Sequence, residues 1–216
     1  MIPAVFIDKD GTLIEDVPYN VDPTKIKLSP GAIEGLLSLQ EAGYKLIVIT
    51  NQSGVAHGYF QESALFAVEE RLRQLLAAEG VYLTGFYYCP HHPDGVVPEF
   101  AIACNCRKPA PGLLLRATSE HNIDLRSSWF VGDILNDVEA GLCVGCKTIL
   151  LDNGNETEWD LSPMRTPGFI VTDLVEAAQV ILSVDIGMTS RRPQTVNLGL
   201  HNQSLATQAI NSQFFT

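Results

Sequence analysis

Two aspartates, Asp8 and Asp10, stand one residue apart where the short apolar run Val5-Phe6-Ile7 ends, and Gly11-Thr12 turn the chain away behind them. One such carboxylate can attack an electrophile while its neighbour moves a proton. A strand running into an ordinary Asp-Gly turn would explain this stretch by itself, but three further polar groups occupy comparable places. They are Thr50-Asn51-Gln52-Ser53 after a second apolar run, Arg107-Lys108 ahead of a helix, and Asp133, with Asp137 four residues on. The set supplies a nucleophile, an acid/base, a hydroxyl and a cation to hold phosphate oxygens, and carboxylates for Mg²⁺. These are the requirements of phosphoryl transfer. Hard oxygen ligands suit magnesium.

A second cluster is of a different kind. Cys89-x-His91 and Cys104-x-Cys106 make two close ligand pairs separated by a loop containing Pro and Gly. Three thiolates and an imidazole suit tetrahedral Zn²⁺ in a closed structural site. The one-residue gaps are tighter than the usual finger spacing, and His92 is an alternative ligand to His91. A disulfide between Cys104 and Cys106 is disfavoured by geometry and compartment. Because Arg107 and Lys108 follow at once, zinc here would brace the segment that carries the phosphate-binding cation. Cys143-x-x-Cys146 has redox spacing but lies where a helix runs into a strand, and reads as small buried packing residues.

The elements that must position these groups alternate. Strand-like runs occur at the start of the chain, Tyr44 to Ile49, Gly85 to Tyr88, Trp129 to Val131, Thr148 to Leu151 and, more weakly, Phe169 to Val171. Helical spacing covers about 30–41, 61–79, 111–121 and 173–182, and Asp137 falls in a helix after Asp133. Strands buried on both faces and alternating with helices predict an α/β fold with a central parallel sheet. All the polar groups can then converge on its carboxyl edge. Asp8 and Asp10 would face one site if strand alternation continued to Asp10. Residues 1–183 read as one domain, and 184–216, rich in Ser, Thr, Asn and Gln, as a polar C-terminal tail or truncated linker.

The 216 residues carry a net charge of −11, with 46% apolar and 18% charged residues. That balance excludes a basic nucleic-acid surface but permits a local pocket for a phosphorylated small molecule. Five unevenly spaced cysteines do not form a disulfide framework. With neither a signal peptide nor an apolar stretch of membrane length, the sequence predicts a soluble cytoplasmic protein without a membrane partner.

Taken in order, Phe6 to Thr12, Thr50 to Ala56, Tyr88 to Pro93, Cys104 to Pro109 and Val131 to Asp133 resemble the haloacid-dehalogenase (HAD) superfamily of phosphatases. Within it, the Cys/His loop followed by Arg-Lys-Pro resembles the D-glycero-D-manno-heptose 1,7-bisphosphate 7-phosphatases and the related histidinol-phosphate phosphatases. The resemblance implies a HAD-like Rossmannoid three-layer sandwich with a minimal cap and a zinc-bound loop; the small cap-poor body suggests a monomer. It implies hydrolysis of the C7 phosphate of the heptose bisphosphate, a step toward nucleotide-activated heptose and lipopolysaccharide precursors. Carried over residue by residue, Asp8 attacks phosphorus and Asp10 is the acid/base. Asp8, Asp133 and the Asp10 carbonyl hold Mg²⁺; Thr50 and Lys108 stabilise the phosphoryl group, and Arg107 recognises substrate. Lys9, Asp16, Val17, Pro18, Tyr19, Asn51, Gln52 and Ser53 complete the substrate-contacting segments, and Cys89, His91, Cys104 and Cys106 hold zinc. Two departures stand out: His57 where relatives usually carry arginine, and Ile134 where lysine is common. Histidinol phosphate is the rival substrate. A retired fold serving as a binding module is the rival of another class, and the intact Asp8, Asp10, Thr50, Lys108 and Asp133 argue against it.

Overall fold

A computed structural model describes residues 1–185 and 187. Of the segment 184–216, expected as a polar tail or truncated linker, residues 186 and 188–216 lie outside the described residues. Six strands, β1 (Ala4–Ile7), β2 (Lys45–Asn51), β3 (Gly85–Cys89), β4 (Trp129–Gly132), β5 (Lys147–Leu151) and β6 (Phe169–Val171), form one sheet in the order β3-β2-β1-β4-β5-β6. Every neighbouring pair is parallel. Five helices connect them: α1 (Ala32–Glu41), α2 (Ala64–Ala78), α3 (Gly112–His121), α4 (Leu135–Cys143) and α5 (Leu174–Asp185). The expected boundaries hold to within a few residues, except that α5 runs past the expected domain end at residue 183.

The layers follow from side-chain alternation. Val5 and Ile7 of β1 point into a core shared with Leu36 and Leu39 of α1, Leu72 and Leu76 of α2, and Ile181 of α5. Ala4 and Phe6 point the other way, against Leu114 and Ala117 of α3 and Ala140 of α4. Since both faces of β1 are covered, its four residues must all be apolar, and all are buried. Each leucine-sized side chain so enclosed contributes about 1.5–3 kcal/mol.

The chain runs outward from β1 through β2 to β3, then returns to place β4 on the other flank of β1. The sheet order therefore reverses between β1 and β4, and at such a point the loops diverge and leave a crevice beyond the carboxyl ends. Among the described residues no helix is long and apolar enough to cross a membrane.

Candidate active site

Asp8 follows β1 directly, and its N–H donates to the Val131 carbonyl of β4 at 3.0 Å, which ties it across the switch point. The strand does not continue to Asp10. After Lys9 the chain turns, with Leu13 and Ile14 N–H both donating to the Lys9 carbonyl at 3.0 Å, so the two carboxylates are related by a turn rather than by strand alternation. They acquire different partners. Asp8 Oδ1 accepts from Lys108 Nζ at 2.6 Å. Asp10 pairs with Lys9 Nζ at 2.8 Å, and its Oδ2 accepts from Gln52 Nε2 at 2.8 Å.

Lys108 enters from the loop before α3 and is buried. Asn51, at the end of β2, fixes that loop from both sides: its Oδ1 accepts from Lys108 N–H at 3.0 Å and its Nδ2 donates to the Lys108 carbonyl at 3.1 Å. Asn51 thus spends its side-chain amide on holding the cation in place. Lys108 Nζ also donates to the Ile49 carbonyl at 3.0 Å and stands 2.6 Å from Asp137 Oδ1. Thr50, equally buried, accepts from Gln52 Nε2 at 2.9 Å.

Asp137 belongs in this constellation. Its position four residues past Asp133 lets the first turn of α4 bring it back over the strand end. One carboxylate oxygen accepts from Ile134 N–H at 3.3 Å at the start of that helix, and the other faces Lys108. The approach is close enough to require glycine behind it, since a Cβ on Gly132 would stand 2.3 Å from the carboxylate. Gly11 does the same for Asp133: a Cβ there would meet Asp133 Oδ2 at 2.1 Å, and its φ of +79° already favours glycine. Asp133 is held by Thr12 Oγ1 at 3.3 Å and by Asn155 Nδ2 at 2.7 Å, the latter from a loop that carried no motif.

Three buried carboxylates, Asp8, Asp133 and Asp137, bring ligand oxygens within 4.8 Å of one another, with Lys108 as the buried cation among them. Burial raises Asp8 well above its ordinary value; Lys108 opposes this, but Asp137, Asp133 and Asp10 add to it. Burial, then the charge of Asp137, push Asp133 up to about 6. Burial works against the charge of Lys108, yet Asp137 and Asp8 hold it above an ordinary lysine. Asp137 Oδ1 is buried against the Lys108 ammonium. Excess negative charge and hard oxygen donors fit a divalent cation such as Mg²⁺.

Beside Asp10 opens a cavity of about 230 Å³, lined among others by Lys9, Asp16, Pro18, Tyr19, Gln52 and Ser53. Burial, then the Asp10 charge, raise Asp16. Val17 is exposed rather than part of this lining. Arg107 reaches the His91 carbonyl at 3.5 Å.

The Cys/His group is assembled next to it. The sulfurs of Cys89, Cys104 and Cys106 lie 3.1–3.5 Å apart, and His91 Nδ1 stands 3.7 Å from Cys89 Sγ and 3.3 Å from Cys106 Sγ. A disulfide needs sulfurs at about 2.05 Å, whereas edges near these lengths are those of a tetrahedron with zinc–ligand bonds of about 2.0–2.3 Å. The donor set fits Zn²⁺, with His91 rather than His92 in the cluster: His92 Nδ1 instead accepts from Asp94 N–H at 3.1 Å. Cys143 departs from expectation, being exposed while Cys146 is buried, because it sits on the outer side of the last turn of α4.

A HAD-hydrolase-like family model matches residues 105–177. The D-glycero-beta-D-manno-heptose-1,7-bisphosphate 7-phosphatase of Yersinia pestis is 43% identical over 150 residues, covering 69% of this chain and 80% of that protein. Its counterpart in Photorhabdus laumondii is 38% identical over 182 residues, covering 84% and 90%. The crystal structure of D,D-heptose 1,7-bisphosphate phosphatase from B. bronchiseptica, complexed with magnesium and phosphate, matches with a TM-score of 0.70 at 27% identity, covering 85% of this chain and 99% of that one. The chain belongs to the HAD-like hydrolases, in the family of the D-glycero-D-manno-heptose 1,7-bisphosphate phosphatases.

Proposed function

We propose that this protein is a Mg²⁺-dependent phosphatase that removes the C7 phosphate of D-glycero-D-manno-heptose 1,7-bisphosphate through a phosphorylated Asp8. The observation that carries the reading is the division of labour between the two aspartates. Asp8 sits against Lys108, and Asp10 is turned away from it onto Lys9 and Gln52 beside an open cavity. Named relatives at 38% and 43% identity supply the substrate. They do not favour histidinol phosphate, nor a binding module without catalysis.

In this reading Asp8 Oδ attacks phosphorus in line with the departing sugar oxygen, and Asp10 gives that oxygen its proton. Asp10 then takes a proton from the water that releases phosphate and regenerates Asp8. Lys108 and Thr50 hold the equatorial phosphoryl oxygens, and Gln52 keeps the Asp10 carboxylate aimed. Arg107 reaches for the distal part of the substrate. Asp8, Asp133 and the Asp10 carbonyl would hold Mg²⁺, with Asp137 acting on Lys108; the ion would neutralise charge on the transferring group. Cys89, His91, Cys104 and Cys106 would hold Zn²⁺ as a brace for the Arg107-Lys108 segment. Residues 1–183 with the end of α5 form the catalytic body.

The test is phosphate release from the two anomers of heptose 1,7-bisphosphate and from histidinol phosphate, with Mg²⁺ and with chelator. Mg²⁺-dependent release from a heptose bisphosphate, at least tenfold faster than from histidinol phosphate, is expected. Preference for histidinol phosphate would overturn the substrate, and release from none would overturn the reading.

A further inference from the structure

The cavity beside Asp10 encloses about 230 Å³, less than the roughly 300–1,000 Å³ of sites that enclose a whole small molecule. On the phosphatase reading it takes only part of the substrate, and the rest of a sugar bisphosphate must lie beyond it. Four aromatic rings from three loops stand at the mouth. Tyr19, from the loop after β1, lines the cavity itself. Its ring lies 4.6 Å from that of Tyr59 and 6.4 Å from that of His57, both in the loop after β2. His57 is 5.6 Å from Tyr59 and 4.7 Å from His92, which comes from the zinc-type loop.

These rings are not core. Tyr19 is 51% and Tyr59 62% exposed, so large apolar faces are offered to solvent beside a catalytic crevice, where buried packing cannot be their purpose. Yet the backbones beneath them are fixed. His57 N–H donates to Ser53 and Tyr59 N–H to Gly54, at 3.0 and 2.9 Å. Val96 and Val97 N–H both donate to the Ala56 carbonyl, at 2.8 and 2.9 Å, fastening the loop that carries His92 onto the loop that carries His57. Tyr19 has a φ of +56°, a conformation bulky residues seldom take unless surroundings hold it.

Resting on the phosphatase reading above, we infer that Tyr19, His57, Tyr59 and His92 form an aromatic wall that takes the carbon face of the sugar and selects for phosphorylated sugars of heptose size. The C–H face of a pyranose lies on the Tyr59 ring, with the Tyr19 ring at 72° to it as a second side, while the imidazole edges meet its hydroxyls. His57 fits this role better than a phosphate clamp, because a ring in a row of rings extends the apolar face where a guanidinium would interrupt it. The wall binds the part of the substrate that does not react, so it acts on ground and transition states alike.

Tyr59 is the ring to change, being the most exposed and outside the lining of the cavity. Steady-state kinetics on the heptose bisphosphate should show KM about tenfold higher for Tyr59→Ala, the loss of one aromatic contact, with kcat within twofold and Tyr59→Phe close to wild type. A KM that stays unchanged, a kcat that falls more than twofold, or a Tyr59→Phe as weak as Tyr59→Ala would each overturn the wall. Wild-type turnover of acetyl phosphate, too small to reach the rings, separates the two levels. Turnover with a failed Tyr59 result refutes the wall alone, and wild type inert on both compounds refutes the phosphatase reading itself.

Discussion

Replacing Lys108 with methionine keeps the length of the side chain and removes the buried positive charge among Asp8, Asp133 and Asp137. Each of the two contacts at 2.6 Å is worth about 6 kcal/mol of gross Coulomb attraction at an effective dielectric near 20. Most of that is offset by the cost of burying the ions, and breaking such a pair costs about 3–5 kcal/mol net. The loss must depend on pH. Asp8 and Asp133 already lie above their ordinary value of 3.8, and without Lys108 they rise further. A raised carboxyl contributes stability that is fully present below the unfolded value and is lost as pH climbs through the folded one. Lys108→Met should therefore cost about 3–5 kcal/mol at pH 7.5 in metal-free protein, and clearly less at pH 4.5, where the carboxyls take up protons. Urea denaturation of both proteins at the two pH values measures this. An equal loss at both would show that Lys108 acts through packing and not through its charge.

Four further outcomes follow from the same geometry. Asp10→Asn should lower kcat about 10²–10⁴-fold while leaving the fold intact, the range for removing a general acid/base; retention of wild-type phosphate release would remove Asp10 from that role. In chelated wild-type protein, Tm should fall as pH rises from about 4 to about 6, because Asp133 moves from 3.8 to about 6 on folding. Saturating Mg²⁺ should raise Tm more at pH 7.5 than at pH 5, and an equal rise would contradict a cation held by these carboxylates. Elemental analysis should find about one zinc per chain in wild type and little in Cys104→Ser, with Lys108-dependent turnover reduced; unchanged zinc content would refute the four-ligand cluster.

What the sequence made legible was whatever announces itself by composition at short range. The apolar run before Asp8, the similar run before Thr50 and the glycine-bounded helices are local signals of burial, and the sheet assembled from them places their polar ends on one edge. The Cys/His pairs were legible because metal-binding donors in tight pairs are rare. Asp137 was harder to read, because its role depends on Gly132 letting α4 fold back over the strand end, a tertiary approach with no local signature. The supports of Asp133, Thr12 and Asn155, arrive from segments more than a hundred residues apart. Asn51 lines the cavity and also engages the Lys108 backbone with its amide, a second role that its place in the sequence did not signal. The aromatic wall was invisible for the same reason: Tyr19, His57, Tyr59 and His92 share no spacing and meet only when three loops do.

The central claim is that Asp8 carries the phosphoryl group between substrate and water. Mixing the protein with heptose 1,7-bisphosphate and Mg²⁺, quenching in acid within milliseconds and mapping peptides by mass spectrometry tests it directly. The account predicts a phosphorylated carboxylate on the peptide containing Asp8, absent in Asp8→Asn. Phosphate release at the wild-type rate by Asp8→Asn, or a label on another residue, would contradict it.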